Sequence, residues 1–197
     1  MYNQLKREVF SLRNDKNDNS VTKSIDFVTT SVVKLLCQQE ASISTAESCT
    51  GGMLSEMITS IAGASDIFEM GIISYSNRIK TKLLGVPKEI LEKYTEVSQQ
   101  TAVAMAEGAI RQSGSQIGVG ITGIAGPTGG SKEKPVGTVY VSVVRKKNEN
   151  KQVLVKNLEL YKEVEEKKLT RSMVRKLATL RALEMVLEIC EKSDMTK

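Results

Sequence analysis

Three groups of residues in this sequence could do chemistry. The first is Thr45-Ala46-Glu47-Ser48-Cys49-Thr50-Gly51-Gly52. A serine followed by consecutive glycines, where a β-like segment gives way to a helix, sets a hydroxyl beside backbone N–H groups able to hold an anion or a developing oxyanion. Gly51 and Gly52 would let a substrate approach the backbone closely. The plainer reading is a strand-to-helix turn in which Ser48 or Thr50 caps the helix. The G-x-S-x-G pattern of a nucleophile elbow is absent.

The second group is Ser74-Tyr75-Ser76-Asn77-Arg78-Ile79-Lys80, which brings a phenol and an amine to another strand-to-helix junction. The chain has no histidine, so Ser-His-Asp and Cys-His mechanisms are excluded. A serine must then hand its proton to a lysine or a tyrosine, and a lysine accepts it only if burial or nearby charge lowers its pKa. Taken alone, Lys80 would be a solvated lysine at a strand end. Its pairing with Ser48 gives it interest.

The third group runs from Gly118 to Lys132. Gly118, Gly120 and Gly123 spell G-x-G-x-x-G, but they sit in a strand-like segment that leads to Pro127 instead of opening a helix, so the dinucleotide fingerprint fails. A P-loop fails too, because Gly130 is followed by Ser131 and only then by Lys132. What remains is a long glycine loop whose amides could surround a phosphate or a ribose, or a surface hairpin-like connection into the next strand. Ser131-Lys132-Glu133-Lys134 also matches S-x-x-K, a pattern common by chance in a charged loop.

The elements that must position these groups follow from periodicity. Apolar residues at Phe27, Val32, Leu35 and Leu36 recur with helical spacing over residues 25–40, and a β-like segment follows at 42–45. A helix is expected over about 51–61 and a buried strand over 67–75. Asn77 is the expected cap of a short helix ending near Leu84, and Pro87 suits a helix start. Ser98 is the expected cap of a helix over 99–113, whose small residues Ala102, Ala106 and Ala109 allow close packing on a sheet. Residues 117–121, 137–144 and 152–160 look like three strands. Leu169, Met173, Leu177, Leu180, Leu183 and Leu187 mark a long amphipathic helix. Helices and strands alternate early and strands adjoin late, which predicts an α/β fold, a three-layer α/β/α sandwich with a mixed central sheet.

Composition limits what such a fold can do. The 197 residues are 40% apolar, enough for one core. Residues 1–23 are too polar to join it and are expected to form a flexible tail, followed by a domain at 24–192 and a short tail at 193–197. The net charge of +5 comes from 28 basic and 23 acidic residues that are interspersed, and aromatic content is 4% with no Trp. That argues against nucleic acid as a partner. No apolar run approaches the roughly 18 residues that span a bilayer, so no membrane association and a cytoplasmic location are expected. Cys37, Cys49 and Cys190 are odd in number and lack paired spacing, consistent with reduced thiols. Without histidine, no metal site is expected, and nothing calls for a cofactor.

Taken in order and spacing, these segments resemble the CinA C-terminal domain family over about residues 24–192. The resemblance runs through Ala46-Glu47-Ser48-Cys49-Thr50-Gly51-Gly52, Ile61-Ala62-Gly63-Ala64-Ser65, Tyr75-Ser76-Asn77 with Lys80, and Leu84-Gly85-Val86. It continues through Val97-Ser98, Gly123-Ile124-Ala125-Gly126-Pro127 with Gly129-Gly130, Lys134-Pro135-Val136-Gly137-Thr138-Val139, and Arg171, Arg175 and Ala178. What it implies is a stand-alone nicotinamide-nucleotide amidohydrolase: nicotinamide mononucleotide plus water gives nicotinate mononucleotide and ammonia, a step of pyridine-nucleotide salvage. It makes Ser48 the candidate nucleophile, with Tyr75 and Lys80 as candidate proton-transfer partners whose roles stay open. The candidate substrate-binding residues are Glu47, Thr50, Gly51, Gly52, Gly123, Ala125, Gly126, Arg171 and Arg175. The amides near Thr50 to Gly52 would hold the oxyanion, and Glu47 would either orient the lysine or stand as a surface carboxylate. Arg171 and Arg175, four apart on one helix face, would both reach a 5′-phosphate or merely solvate the helix. The implied partner is a small nucleotide, and a homodimer is expected from the family and the long last helix. The alternative is an inactive nucleotide-binding regulatory protein, in keeping with the competence and damage response in the family's name.

Overall fold

The computed structural model describes residues 18–147 and 149–192. A five-stranded sheet in the order β2-β1-β3-β4-β5 is built from β1 (Ile43–Glu47), β2 (Phe68–Ile73), β3 (Ile117–Gly123), β4 (Thr138–Lys147) and β5 (Asn150–Glu159). The first three strands are parallel, and β4 and β5 join antiparallel. On one face lie α2 (Met53–Thr59) and α7 (Arg171–Lys192), with α1 (Asp18–Gln38) packed against both. On the other lies α5 (Gln99–Ser113), with α3 (Asn77–Leu84) and α4 (Lys88–Tyr94) packed on it. The one-turn α6 (Leu160–Glu163) follows β5. This is the three-layer α/β/α sandwich with a mixed sheet that the element order predicts.

Covering both faces explains the burial pattern. β1 is buried along its whole length and β3 along all but its last residue, whereas the edge strand β5 exposes most of its residues. The glycines of β3 have a packing reason. A side chain at Gly118 or Gly120 would collide with the backbone carbonyl of Ala106 or Ala102, so their absence lets α5 lie close on the sheet.

Two boundaries differ from expectation. The first described helix already includes Asp18, six residues before Ser24, with Val21 buried on its inner face and Asp18 paired to Lys176 of α7 at 2.7 Å. Residues 18–23 therefore belong to the domain and not to a tail. The remaining residues assigned to tails, 1–17 and 193–197, lie outside the described residues. The cap of α3 is Ser76, whose Oγ accepts from the Ile79 amide at 3.3 Å, and Asn77 is the first helical residue. Ser98 caps α5 as expected, accepting from the Thr101 amide at 3.2 Å.

Register sets up the site. Glu47 of β1 aligns with Ile73 of β2 and Ile121 of β3. The next residues in each chain segment, Ser48, Ser74 and Thr122, therefore stand together at the carboxyl edge of the parallel strands, where open α/β sheets bind ligands. The ladder carries on there, with Ser48 N donating to Ile121 O at 3.0 Å and Ser74 N to Glu47 O at 2.8 Å. Among the described residues no helix is long and apolar enough to cross a membrane, and no group of three His, Cys, Asp or Glu side chains could hold a metal ion. No disulfide joins Cys37, Cys49 and Cys190.

Candidate functional site

The turn from β1 to α2 reverses through two left-handed glycines, Gly51 at φ 63 and Gly52 at φ 94. Glu47, with no exposed surface, underpins it. Its Oε2 accepts from the amides of Gly52 at 3.0 Å and Leu54 at 3.2 Å, and its Oε1 from the Ser55 amide at 2.9 Å and the Ser55 hydroxyl at 2.7 Å. A carboxylate at the amino end of a helix, accepting from unpaired N–H groups, stabilises both the charge and the helix. Glu47 is thus neither a surface carboxylate nor a partner of the lysine. With four donors on its two oxygens, it shapes the site from below.

Directly after it, Ser48 meets Lys80. α3 packs on α5 and turns Lys80 inward until it is 1% exposed, while Ser48 keeps 9%. The Lys80 ammonium donates to the Ser74 carbonyl at 2.8 Å and to Ser48 Oγ at 3.3 Å. Burial pushes the Lys80 pKa below its ordinary value, and the charge of Glu96 acts in the opposite direction. A lysine so placed gives up its proton more readily than one in water, and its nearest side-chain partner is a hydroxyl. The neighbouring thiol is different: burial pushes Cys49 up to about 12. Of the two adjacent nucleophiles, it is the serine whose side chain is hydrogen-bonded to the lysine.

Tyr75 is hydrogen-bonded to neither member of that pair among the described residues. It is 63% exposed, and its hydroxyl accepts from Arg171 Nη2 at 2.9 Å. Arg171 also donates through Nη1 to the Gly126 carbonyl at 2.7 Å, and Arg175 donates through Nε to the Thr50 carbonyl at 2.9 Å. One arginine therefore ties α7 to the glycine loop and the other to the serine turn.

The glycine loop, residues 124–137, is a hairpin connection that also reaches this edge. Ile124 N donates to Thr138 O at 2.9 Å and Gly137 N to Ile124 O at 2.8 Å, closing β3 onto β4. The Gly126-Pro127 peptide is cis. Gly123 is needed for close backbone approach, since a β-carbon there would lie 2.7 Å from the Thr138 carbonyl. Ala125 is buried in the main core. Of these three candidates, it is Gly126 that offers its carbonyl to Arg171.

The amides of the serine turn divide in an unexpected way. Gly51 N closes a turn on Ser48 O at 3.1 Å, and Gly52 N is taken by Glu47. Those two amides are therefore engaged within the protein. The Thr50 hydroxyl is buried without a partner among the described residues.

Residues 25–190 match the CinA C-terminal domain. The chain belongs to the CinA C-terminal domain family. This CinA domain is 42% identical over 166 residues to a CinA-like protein of Akkermansia muciniphila, covering 84% of this chain and 38% of that relative. It is 46% identical over 155 residues to a CinA-like protein of Kosmotoga olearia, covering 79% and 35%. The chain thus spans between a third and two fifths of the length of these curated relatives. Among solved structures, it resembles the competence/damage inducible protein CihA of Agrobacterium tumefaciens with a TM-score of 0.77 and 36% identity, covering 84% of this chain and 94% of the other. A CinA superfamily protein of Escherichia coli matches with a TM-score of 0.73 and 28% identity, covering 90% and 96%.

Three features of this CinA domain escaped the sequence reading: the Ser74 carbonyl on Lys80, the four-donor cradle of Glu47, and the charge of Glu96 near Lys80. A carbonyl leaves no trace in residue type, and Glu96 belongs to no motif. Glu47 did leave a signal, an acidic side chain just ahead of a helix start.

Proposed function

We propose that this CinA domain is an amidohydrolase that converts nicotinamide mononucleotide and water to nicotinate mononucleotide and ammonia, with Ser48 as nucleophile and Lys80 as base. The observation that carries the reading is the buried lysine, its pKa lowered by burial, 3.3 Å from a serine hydroxyl.

In the reaction the neutral Lys80 amine takes the Ser48 proton as Oγ bonds to the carboxamide carbon, and the carbonyl electron pair moves onto oxygen. Backbone amides of the serine turn stabilise that oxyanion. The Lys80 ammonium then gives its proton to the amide nitrogen, the C–N bond breaks, and ammonia leaves an ester on Ser48. Water, deprotonated by Lys80, attacks the ester, and the acid departs as Ser48 regains its proton. No redox partner or metal is needed for this sequence.

Arg171 and Arg175 bracket the serine turn and the glycine loop, which suits them to a 5′-phosphate. In this reading Tyr75 orients Arg171 and takes no proton from Ser48. Incubating the purified chain with nicotinamide mononucleotide should yield ammonia and nicotinate mononucleotide in equal amounts. Saturable binding of the nucleotide with no product would instead identify a regulatory binding module and end the amidohydrolase reading.

A further inference from the structure

We propose that Lys134 is a positioning residue for the substrate: its ammonium latches the glycine loop to the α4–α5 loop and so holds Gly126 and Arg171 ready for the phosphate half of the nucleotide. The inference rests on the amidohydrolase reading and gives a part to a side chain that the mechanism leaves unused.

The latch is a direct contact. Lys134 Nζ donates to Thr95 Oγ1 at 2.8 Å and to the Val97 carbonyl at 2.7 Å, and the Thr95 hydroxyl donates to that same carbonyl at 3.4 Å. A half-buried ammonium thus joins two segments 39 residues apart in the chain through charge-assisted hydrogen bonds. The receiving loop is strained and firmly fixed. Thr95 sits at φ 67 and ψ 171, a combination essentially reserved for glycine. Its carbonyl accepts from Ser98 Oγ at 3.1 Å and Thr101 Oγ1 at 2.7 Å, and the carbonyl of residue 96 accepts from Thr122 Oγ1 at 2.7 Å. Thr122 follows Ile121, whose carbonyl holds the Ser48 amide, so this loop is an anchor at the sheet edge that carries the serine. Strain of this kind persists where the surroundings over-determine it, and it clusters at ligand clamps.

The other side of the latch leads to the arginine. The Ser131 amide donates to the Lys134 carbonyl at 2.9 Å, and the Lys134 amide donates to Ser131 Oγ at 3.0 Å, which closes the turn from which the side chain springs. Two residues on, Val136 packs so closely on Gly126 that a β-carbon there would lie 2.5 Å from Val136 Cγ1. The Gly126 carbonyl in turn accepts from Arg171 Nη1 at 2.7 Å, and Arg171 Nη2 donates to the Tyr75 hydroxyl. Fixing Lys134 therefore fixes the surface on which Arg171 rests. A glycine-rich loop tied only at its base would sample many conformations and lose them when substrate binds. A latch that removes this freedom beforehand contributes to binding more than to chemistry. Lys134 is hydrogen-bonded to neither Ser48 nor Lys80 among the described residues, so the proton-transfer pair does not depend on it.

The test compares ammonia release from nicotinamide mononucleotide, calorimetric binding of that nucleotide and backbone amide exchange in the wild type, Lys134→Met, Lys134→Arg and, as a charge control, Lys93→Met on α4. Lys134→Met should raise KM about tenfold while kcat stays within about twofold. It should also speed exchange of the amides at residues 131 and 134 about tenfold. Lys134→Arg, which keeps the charge and the donors, should hold KM within about threefold of the wild type. Lys93→Met should superimpose on the wild type. Thr95→Gly, which suits the backbone and removes one of the two acceptors, should raise KM about threefold and carries the same test if Lys134→Met does not fold. Faster exchange with an unmoved KM, or a loss confined to kcat, would show a merely structural contact and overturn the proposal. A wild type that binds the nucleotide without releasing ammonia would sink the amidohydrolase reading alone; the latch would then be upheld by weaker binding in Lys134→Met and overturned by equal binding. A wild type that neither binds nor hydrolyses the nucleotide would overturn both.

Discussion

Among the described residues two basic side chains are buried, at opposite ends of the parallel strands, and they do different work. Arg145 of β4 lies across from Ile117, the first residue of β3, and is 6% exposed. It donates to the Cys190 carbonyl of α7 at 3.1 Å and to Gln39 Oε1, just past α1, at 3.0 Å. A guanidinium keeps its proton at any ordinary pH and spreads several donors in a plane, so burying it fastens elements together. Lys80 carries a single amine whose proton is loosened by burial, and one of its acceptors is a hydroxyl. Similar burial gives a clamp where the cation cannot titrate and a base where it can.

The largest effect that would break this contrast is expected at Lys80. Lys80→Met should reduce ammonia release about a thousandfold, within the range for losing a general base. It should also raise the melting temperature at neutral pH by about 2–4 °C, because a charged amine no longer has to be buried. The sign with pH follows from the direction of the shift. The folded-state pKa of Lys80 lies below the ordinary 10.5, so its destabilisation is complete below the folded value and is relieved as pH rises toward the ordinary one. The advantage of Lys80→Met in thermal melts should therefore shrink on the alkaline side. An advantage that grows there would mean that Lys80 is held as an ammonium.

Next in size is the clamp. Arg145→Met should cost about 2–4 kcal/mol in urea unfolding, since it removes the hydrogen bonds that tie β4 to α7 and to Gln39. Its kcat, measured well below the unfolding transition, should stay within about twofold of the wild type. Loss of kcat in a folded Arg145→Met would show that the two ends are coupled and that the division drawn here is false. The smallest effect is expected at Cys49, the thiol beside the nucleophile. Cys49→Ala should keep kcat within about threefold and lower stability by about 1 kcal/mol through a small cavity. A loss of activity comparable to that of Lys80→Met would point to sulfur chemistry.

Much of this arrangement was legible in the chain. Ser98 announced the start of α5, the alternation of elements gave the layers, and the family resemblance, with no histidine present, put both Tyr75 and Lys80 forward as partners of Ser48. Local signals of this type depend on residue identity over a few positions. The start of α1 was missed because Asp18 to Lys23 is polar on its outer face, and the burial of Val21 depends on α7, far along the sequence. The division of labour among the turn amides was missed because backbone groups carry no sequence signature.

The most direct test of the account is the rate of ammonia release from nicotinamide mononucleotide by Ser48→Ala beside that of the wild type. The account predicts a loss of about a thousandfold or more with an unchanged thermal melt. Ammonia released by Ser48→Ala at the wild-type rate would remove this hydroxyl from the reaction and contradict the mechanism.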